Sequence, residues 1–282
     1  MLNAFTVDVE DYFQVSAFER VVSRRDWDLY PSRVVANTRR LLHLLERFDV
    51  RATFFVLGWV AARFPDLVRE IARCGHEIGC HSYWHRLVYT LTPEEFADDL
   101  RQAKGALEDA IGAPVTSYRA PSYSITRRSL WALDILAAEG FTYDSSVFPI
   151  CHDRYGIPDA NPLPHRYTGS HGSIWEFPPS VIRLGRLNVP VGGGGYFRLL
   201  PAWWTERGVA WLNAQGRPFL FYIHPWEIDP QQPRLPGTRW KWRHYVNLAT
   251  TYEKLEMLLS RVRFGPMTEV LNDAGRCVAV AT

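Results

Sequence analysis

The sequence predicts an α/β fold, a parallel sheet closing as a (β/α) barrel, and three observations carry the prediction. Short apolar runs of strand length alternate with longer stretches whose apolar residues recur at helical spacing. One run after another stops on residues of catalytic type, among them Asp8, His81, Arg119, Asp144 and His224. In a parallel α/β architecture such strand ends open on one face, where active sites sit. The third observation is size. The chain has 282 residues, 47% of them hydrophobic, enough for one large core, and no repeat or linker marks off a second domain.

Ala4 to Asp8 alternate as a buried strand. A helix is expected over about Val34 to Phe48, where Leu41, Leu44, Leu45 and Phe48 share a face. Arg51 to Leu57 is apolar nearly throughout, as a strand covered on both sides must be. Pro65 opens a helix carrying Leu67, Val68 and Ile71, and Gly75 stops it. Glu77 to Cys80 is a short strand. Thr92-Pro93-Glu94-Glu95 is a capping box with Pro at the first helical position, so a helix runs from there towards Ile111. Val115 to Tyr118 is a strand ending at Arg119. Ser129 to Glu139 is helical up to Gly140, and Phe141 to Tyr143 is a strand ending in Asp144-Ser145-Ser146.

From Cys151 to Gly172 the pattern breaks into Pro, His and Gly, and a long loop is expected, followed by a strand end at Ile174 to Pro179. Gly192 to Gly195 lets the backbone approach a ligand closely. No Gly-Lys-Ser/Thr follows, which argues against a phosphate cradle. Pro218 to Ile223 is a last buried strand, delivering His224-Pro225-Trp226-Glu227, and Tyr252 to Val262 is a final helix.

The formal net charge of +2 speaks for neither a nucleic acid nor a strongly acidic partner. The basic and aromatic run Arg239 to His244 is better explained by an anionic or sugar substrate, or by packing, than by nucleic acid. Aromatic residues make up 14% of the chain, including eleven Trp, and such rings stack well on sugars. Cys74, Cys80, Cys151 and Cys277 form no CxxC pair and read as reduced thiols, with Cys80 turned away from the site by strand alternation. With no signal-peptide pattern and no apolar run of membrane length, a cytoplasmic location is expected.

His81 and His85 follow a strand directly, and one helical turn between them would aim both rings at one point. Two converging imidazoles are a partial metal site, and a carboxylate from Asp8-Val9-Glu10-Asp11 would complete it. Strand alternation puts Glu10 on the same side as Asp8, and Asp11 serves instead if the strand has already turned.

With these segments in order, the chain resembles the NodB-homology polysaccharide deacetylases, carbohydrate esterase family four. The strand-one acids, His81-Ser82-x-x-His85, Arg119-x-Pro121, Asp144-Ser145-Ser146 and Ile223-His224 correspond to that family's five motifs. It is similar in particular to a branch associated with exosortase and exopolysaccharide loci. Those similarities are Asp-Val-Glu-Asp-Tyr-Phe at the start, Gly-Gly-Gly-Gly-Tyr-Phe-Arg from Gly192, the His224 to Pro230 segment and Arg243-His244-Tyr245.

The resemblance implies a distorted (β/α)7 barrel of the glycoside hydrolase/deacetylase type. It also implies one deacetylase domain over 1–282, with a family-specific C-terminal part from about 225. It implies hydrolysis of an N-acetyl group from an amino sugar of a polysaccharide or its precursor, in exopolysaccharide biosynthesis. Asp8 would be the base and His224 the acid, Arg119 would orient Asp8, and Asp144 would support the groups around them. His81 and His85, with Glu10 or Asp11, would hold a divalent metal, zinc first, with nickel, cobalt or manganese as alternatives. Trp84, Pro121, Tyr123 and Trp226 would contact the acetyl methyl or the sugar. The expected partner is a carbohydrate at the inner membrane face, met by peripheral association, with no nucleic acid. Two other readings stay open: hydrolysis of another non-peptide C–N bond, in a cyclic amide or ureide, and sugar binding without catalysis.

Overall fold

The computed structural model describes residues 1–185, 187–235 and 242–280, with 274–280 described by backbone alone. Arg239 to Lys241 of the basic and aromatic run, and the side chain of Cys277, lie outside the described residues. The first half of the chain alternates as its periodicity requires: β1 (Asn3–Val9), α1 (Val34–Arg47), β2 (Thr53–Val56), α2 (Gly58–Arg63), α3 (Pro65–Arg73), β3 (Glu77–Cys80), α4 (Pro93–Ile111), β4 (Ser117–Tyr118), α5 (Trp131–Ala138) and β5 (Tyr143–Asp144). The second half is less regular. It runs β6 (His165–Gly169), β7 (Gly172–Glu176), β8 (Val181–Leu184), β9 (Leu187–Pro190), α6 (Gly194–Leu199), α7 (Ala202–Ala214), β10 (Leu220–Ile223), α8 (Trp242–Tyr245), α9 (Leu248–Arg261), β11 (Phe264–Gly265) and α10 (Met267–Val280).

Along β10-β1-β2-β3-β4-β5-β7 every strand pairing is parallel, while β6 adds to β7 in antiparallel fashion and β11 pairs with the start of β1. These seven parallel strands with their crossover helices make an α/β fold, and the sheet curls until its two ends approach. The seam between β7 and β10 carries no strand ladder. Instead Val191 donates from its amide to Ser180 O (3.1 Å), and Tyr222 from its amide to Gly192 O (2.7 Å). Gly193 adds a single parallel bridge to Tyr222, with φ 129° and the Tyr222 carbonyl pressed where a Cβ would stand, so only glycine fits this crossing.

Alternation along β1 sorts its residues by layer. Phe5, Val7 and Val9 face the helices, while Ala4, Thr6 and Asp8 face the interior of the curled sheet. That interior is filled from the bottom up. Ala4, Phe55, Leu220 and Phe177 form an apolar floor closed by Met267, Val270 and Leu271 of α10. Above them the wholly buried Arg119 guanidinium lies over the Phe55 ring at 4.3 Å. Phe55 takes the space beside Gly79, where a Cβ would meet its ring. Above Arg119 lie the acids and histidines.

The capping box at Thr92 forms as its sequence predicts, with the Glu95 amide donating to Thr92 Oγ1 (3.2 Å) and the Thr92 amide to Glu95 (2.9 Å). Other expectations are corrected. The segment from Cys151 to Gly172 is not all loop, since His165–Gly169 pairs with β7, and β8 and β9 form a separate two-stranded hairpin. Among the described residues no helix is long and apolar enough to cross a membrane.

Candidate active site

Asp8 sits near the end of β1, buried, and its Oδ1 accepts from Arg119 Nη1 at 2.7 Å. The same guanidinium also donates to Thr6 Oγ1 (2.7 Å), Ser145 O (3.2 Å) and Ser145 Oγ (2.9 Å). A guanidinium fixed on four acceptors cannot swing, so it fixes the carboxylate it holds. Asp8 Oδ2 is left facing His224 Nε2, 3.8 Å away.

His81 and His85 do meet, with ring centroids 5.4 Å apart, but not through a helical turn. The segment between them is irregular, with Ser82 at φ 68° and His85 at φ 50°. The carboxylate of Asp99 on α4 builds it, accepting from Ser82 Oγ, from the Tyr83 amide (2.7 Å) and from the Trp84 amide (3.3 Å). His81 Nδ1 lies 2.8 Å from the Arg119 carbonyl, to which it donates. That assigns the tautomer and leaves Nε2 with a free lone pair. Burial pushes the His81 pKa down to about 4, which keeps the ring neutral at pH 7.

Glu10 supplies the third donor. Its Oε1 accepts from Trp226 Nε1 (3.1 Å), while its buried Oε2 stands 2.7 Å from His85 Nε2 without a well-directed hydrogen bond. Burial alone would raise its pKa, but His85, His224 and His81 outweigh this and hold it at about 2. Ligand atoms of Glu10, His81 and His85 lie within 4.8 Å of one another. Two imidazoles, that of His81 oriented through its second nitrogen, and one ionised carboxylate oxygen lacking a donor suit a divalent ion such as zinc, and leave coordination positions open.

Asp11 is not part of this group. Its Oδ2 accepts from Ser32 Oγ (2.6 Å) and from the amides of Arg33 (2.9 Å) and Val34 (3.1 Å), and its Oδ1 from the Tyr12 amide (3.0 Å), so it caps the start of α1 and both oxygens are engaged. Of the two acids weighed for the third ligand, the geometry selects Glu10.

His224 follows β10. Its Nδ1 donates to Glu227 Oε1 at 2.6 Å, three residues along a short 3₁₀ turn, and Glu227 Oε2 accepts from Arg198 Nε, also at 2.6 Å. Arg198 Nη1 is spread over the carbonyls of Arg243 (3.0 Å), His244 (2.8 Å) and Val246 (3.1 Å). Burial would lower the His224 pKa, but the hydrogen bond to Glu227 and the carboxylates of Glu10, Glu227 and Asp8 raise it to about 9. The imidazolium is therefore the form present at neutral pH, with its Nε2–H turned towards Asp8 and Glu10.

Asp144 stands one step back from the reacting groups. Its Oδ1 accepts from Ser146 Oγ (2.5 Å), whose oxygen accepts in turn from the Ala120 amide (2.8 Å), so it braces the strand end that carries Arg119. Burial raises the pKa of Asp144 and of its neighbour Glu176, and the Asp144 charge further opposes ionisation of Glu176. Contact with Arg119 itself falls to Ser145, which the sequence reading leaves without a role.

Asp8, Glu10, His85, Arg198 and His224 line a cleft of about 680 Å³, and His81, Arg119, Asp144 and Glu227 stand behind that lining. Tyr123 and Trp226 line it; Trp84 and Pro121 do not. The Trp84 ring packs instead against Trp27 (5.9 Å) and Tyr83 (4.9 Å), and Pro121 starts the turn that leads into Tyr123. Glu227, Arg198, Ser145 and Asp99 escape the sequence reading as site residues. Glu227 alone leaves a signal, a carboxylate three residues after a His with Pro between them.

Comparison with known proteins adds the following. Residues 27–142 match a family profile described as polysaccharide deacetylase, and residues 145–272 match one described as a domain of unknown function, DUF3473. A peptidoglycan-N-acetylglucosamine deacetylase of Bacillus cereus is 27% identical over 151 residues, 49% of this chain and 54% of that protein. A chitooligosaccharide deacetylase of a Bradyrhizobium species is 31% identical over 100 residues, 36% of this chain and 43% of that protein. The chain thus spans about half or less of the curated relatives it matches. A crystal structure from Mycobacterium smegmatis, assigned to the polysaccharide deacetylases, aligns over 96% of this chain and 88% of its own at 21% identity, with a TM-score of 0.63. At that identity it speaks to the fold.

Proposed function

We propose that this chain, which belongs to the polysaccharide deacetylase family through residues 27–142, hydrolyses an N-acetyl group of an amino sugar in a polysaccharide or its precursor. One observation carries the proposal: a paired carboxylate (Asp8–Arg119), a protonated imidazole (His224–Glu227) and a Glu10/His81/His85 donor set converge on a single cleft. A base, an acid and a metal site are the groups that amide hydrolysis needs.

When bound there, a divalent ion, zinc in our reading, would polarise the acetyl carbonyl and make a water more acidic. The chain's own groups do the rest. Asp8, held still by Arg119, takes a proton from the water that attacks the carbonyl carbon. The C–N bond breaks as His224 gives its Nε2 proton to the leaving amine, and acetate departs. Glu227 holds the opposite ring nitrogen, so the proton-bearing Nε2 points into the cleft throughout. Trp226 lies flat along the His224 ring (5.1 Å, 26°) and closes that side of the site against water. A role in exopolysaccharide assembly is proposed on the resemblance of the Gly192 to Arg198 and His224 to Pro230 segments.

The test is acetate release from N-acetylated oligosaccharides by purified protein, stripped with chelator and then reloaded. Activity that disappears on chelation and returns with zinc, nickel or cobalt supports the proposal. Release that survives thorough chelation removes the metal from the mechanism, and no release from any glycan shifts weight to the ureide or binding-only readings.

A further inference from the structure

The cleft is much larger than an acetamido group requires, and its far wall has a chemistry of its own. That wall comes from the region matching the domain of unknown function and includes His152, Arg154, Tyr155, Tyr196, Trp242 and Arg243. The Phe148, Tyr155 and His152 rings form a layered stack, with centroids 5.9 Å and 3.9 Å apart and planes within 14° of parallel. Their basic neighbours converge on it: the His152 pKa is lowered first by burial and then by the nearby charges of Arg154 and Arg243, against the pull of Asp153.

Charge on the lining is not balanced. Each carboxylate there is already engaged, Asp8 on Arg119, Glu10 on Trp226 Nε1 and in the donor set with His81 and His85, and Asp153 on His152 (2.9 Å). Arg154 meets Glu19 at 3.0 Å in a partly exposed pair. Arg243 has no carboxylate partner among the described residues; its guanidinium lies over the Trp242 ring at 5.7 Å, and that ring is 56% exposed. An unpaired guanidinium beside open aromatic faces is the arrangement that takes a sugar ring by stacking and an acidic substituent by a forked hydrogen bond.

Building on the deacetylase reading, we propose that Arg243 and Arg154, with the faces of His152 and Trp242, form a subsite for an anionic group on the glycan, so that the substrate is an acidic saccharide. The anion is a carboxylate or a phosphate. A uronic acid within the chain supplies the first, and a phosphate at the reducing end of a carrier-linked precursor supplies the second.

The experiment uses the full-length, metal-loaded protein. Oligosaccharides identical except for one group are compared: a uronate against its methyl ester, and a reducing-end phosphate against the free sugar. We expect kcat/KM at least tenfold higher for one acidic member of a pair, and the preferred pair names the source. Arg243→Gln should collapse that ratio to near one, and the preference should weaken as salt rises from 50 to 500 mM. Equal turnover of acidic and neutral members, or an Arg243→Gln variant that slows both alike, overturns the proposal. Binding of the same pairs is followed in parallel by calorimetry. If no acetate appears from any glycan, the deacetylase reading fails while an acidic preference in binding still upholds the subsite, and its absence removes the subsite too. The salt series on the unmodified protein decides the matter if the variant does not fold.

Discussion

Single residues carry the chemistry, and here two carboxylates near His224 have separable jobs. Glu227 holds Nδ1 and Asp8 faces Nε2. Asp8→Asn removes the base and should cost about 10²–10⁴ in kcat. Glu227→Gln keeps the shape but loses the charge behind the imidazolium; it should lower kcat by about tenfold or more with little change in KM, and a steady-state comparison showing normal kcat would refute that role. The acids at the end of β1 part in the same way. Glu10→Gln should abolish metal retention after dialysis, whereas Asp11→Ala should retain metal and lower stability by about 1–2 kcal/mol through the lost helix cap. Elemental analysis set beside thermal melts distinguishes these outcomes. Asp8, Glu10 and Asp11 could be picked out in the sequence because strand alternation and spacing are local. Which of the last two faces inward depended on α1 beginning beside them, a fact of packing over more than twenty positions. Arg198 and Glu227 stand 29 residues apart and meet only once β10 and α6 are placed.

At the scale of elements, strands and helices with strong periodicity were legible, and those that depend on a partner were not. The capping box of α4 and Pro65 at the start of α3 are written in adjacent residues. The short α2 and the β8–β9 hairpin are not, since four to six residues carry too little pattern to fix a period. The loop from Ser82 to His85 shows how an element far from the motif can set its shape. Sequence spacing suggested a helical turn, but Asp99 supplies acceptors to three donors in the loop and makes left-handed backbone at Ser82 and His85 tolerable. Asp99→Ala should therefore reduce metal affinity by about 10–100-fold with no ligand touched, read by competition with a chelating dye. Unchanged affinity would show that the loop holds its form without α4.

For the whole molecule, the parallel sheet aligns strand ends from six crossovers on one face, which is why residues from 8 to 224 can share a cleft. The same burial leaves a pH signature. Asp144 and Glu176 carry raised pKa values because burial penalises their charge, and Asp144 further opposes ionisation of Glu176. Groups with higher pKa folded than unfolded bind more protons in the folded state. Their stabilisation is complete below the unfolded carboxylate value, about 4, and is lost as pH rises through the folded values. Glu176→Gln should thus gain on the unmodified protein in melting temperature between pH 5 and pH 8, while parallel curves would mean that the pair does not share a proton. One contact links this architecture to turnover. Arg198 grips Glu227 with one nitrogen and three carbonyls of the 243–246 segment with another, so the proton donor and the outer wall of the cleft form one mechanical unit. A long substrate seated on that wall would then bear on the imidazole, and contacts far from the scissile bond would raise kcat as well as affinity. Short glycans lacking the outer sugars would still dock, and would turn over slowly.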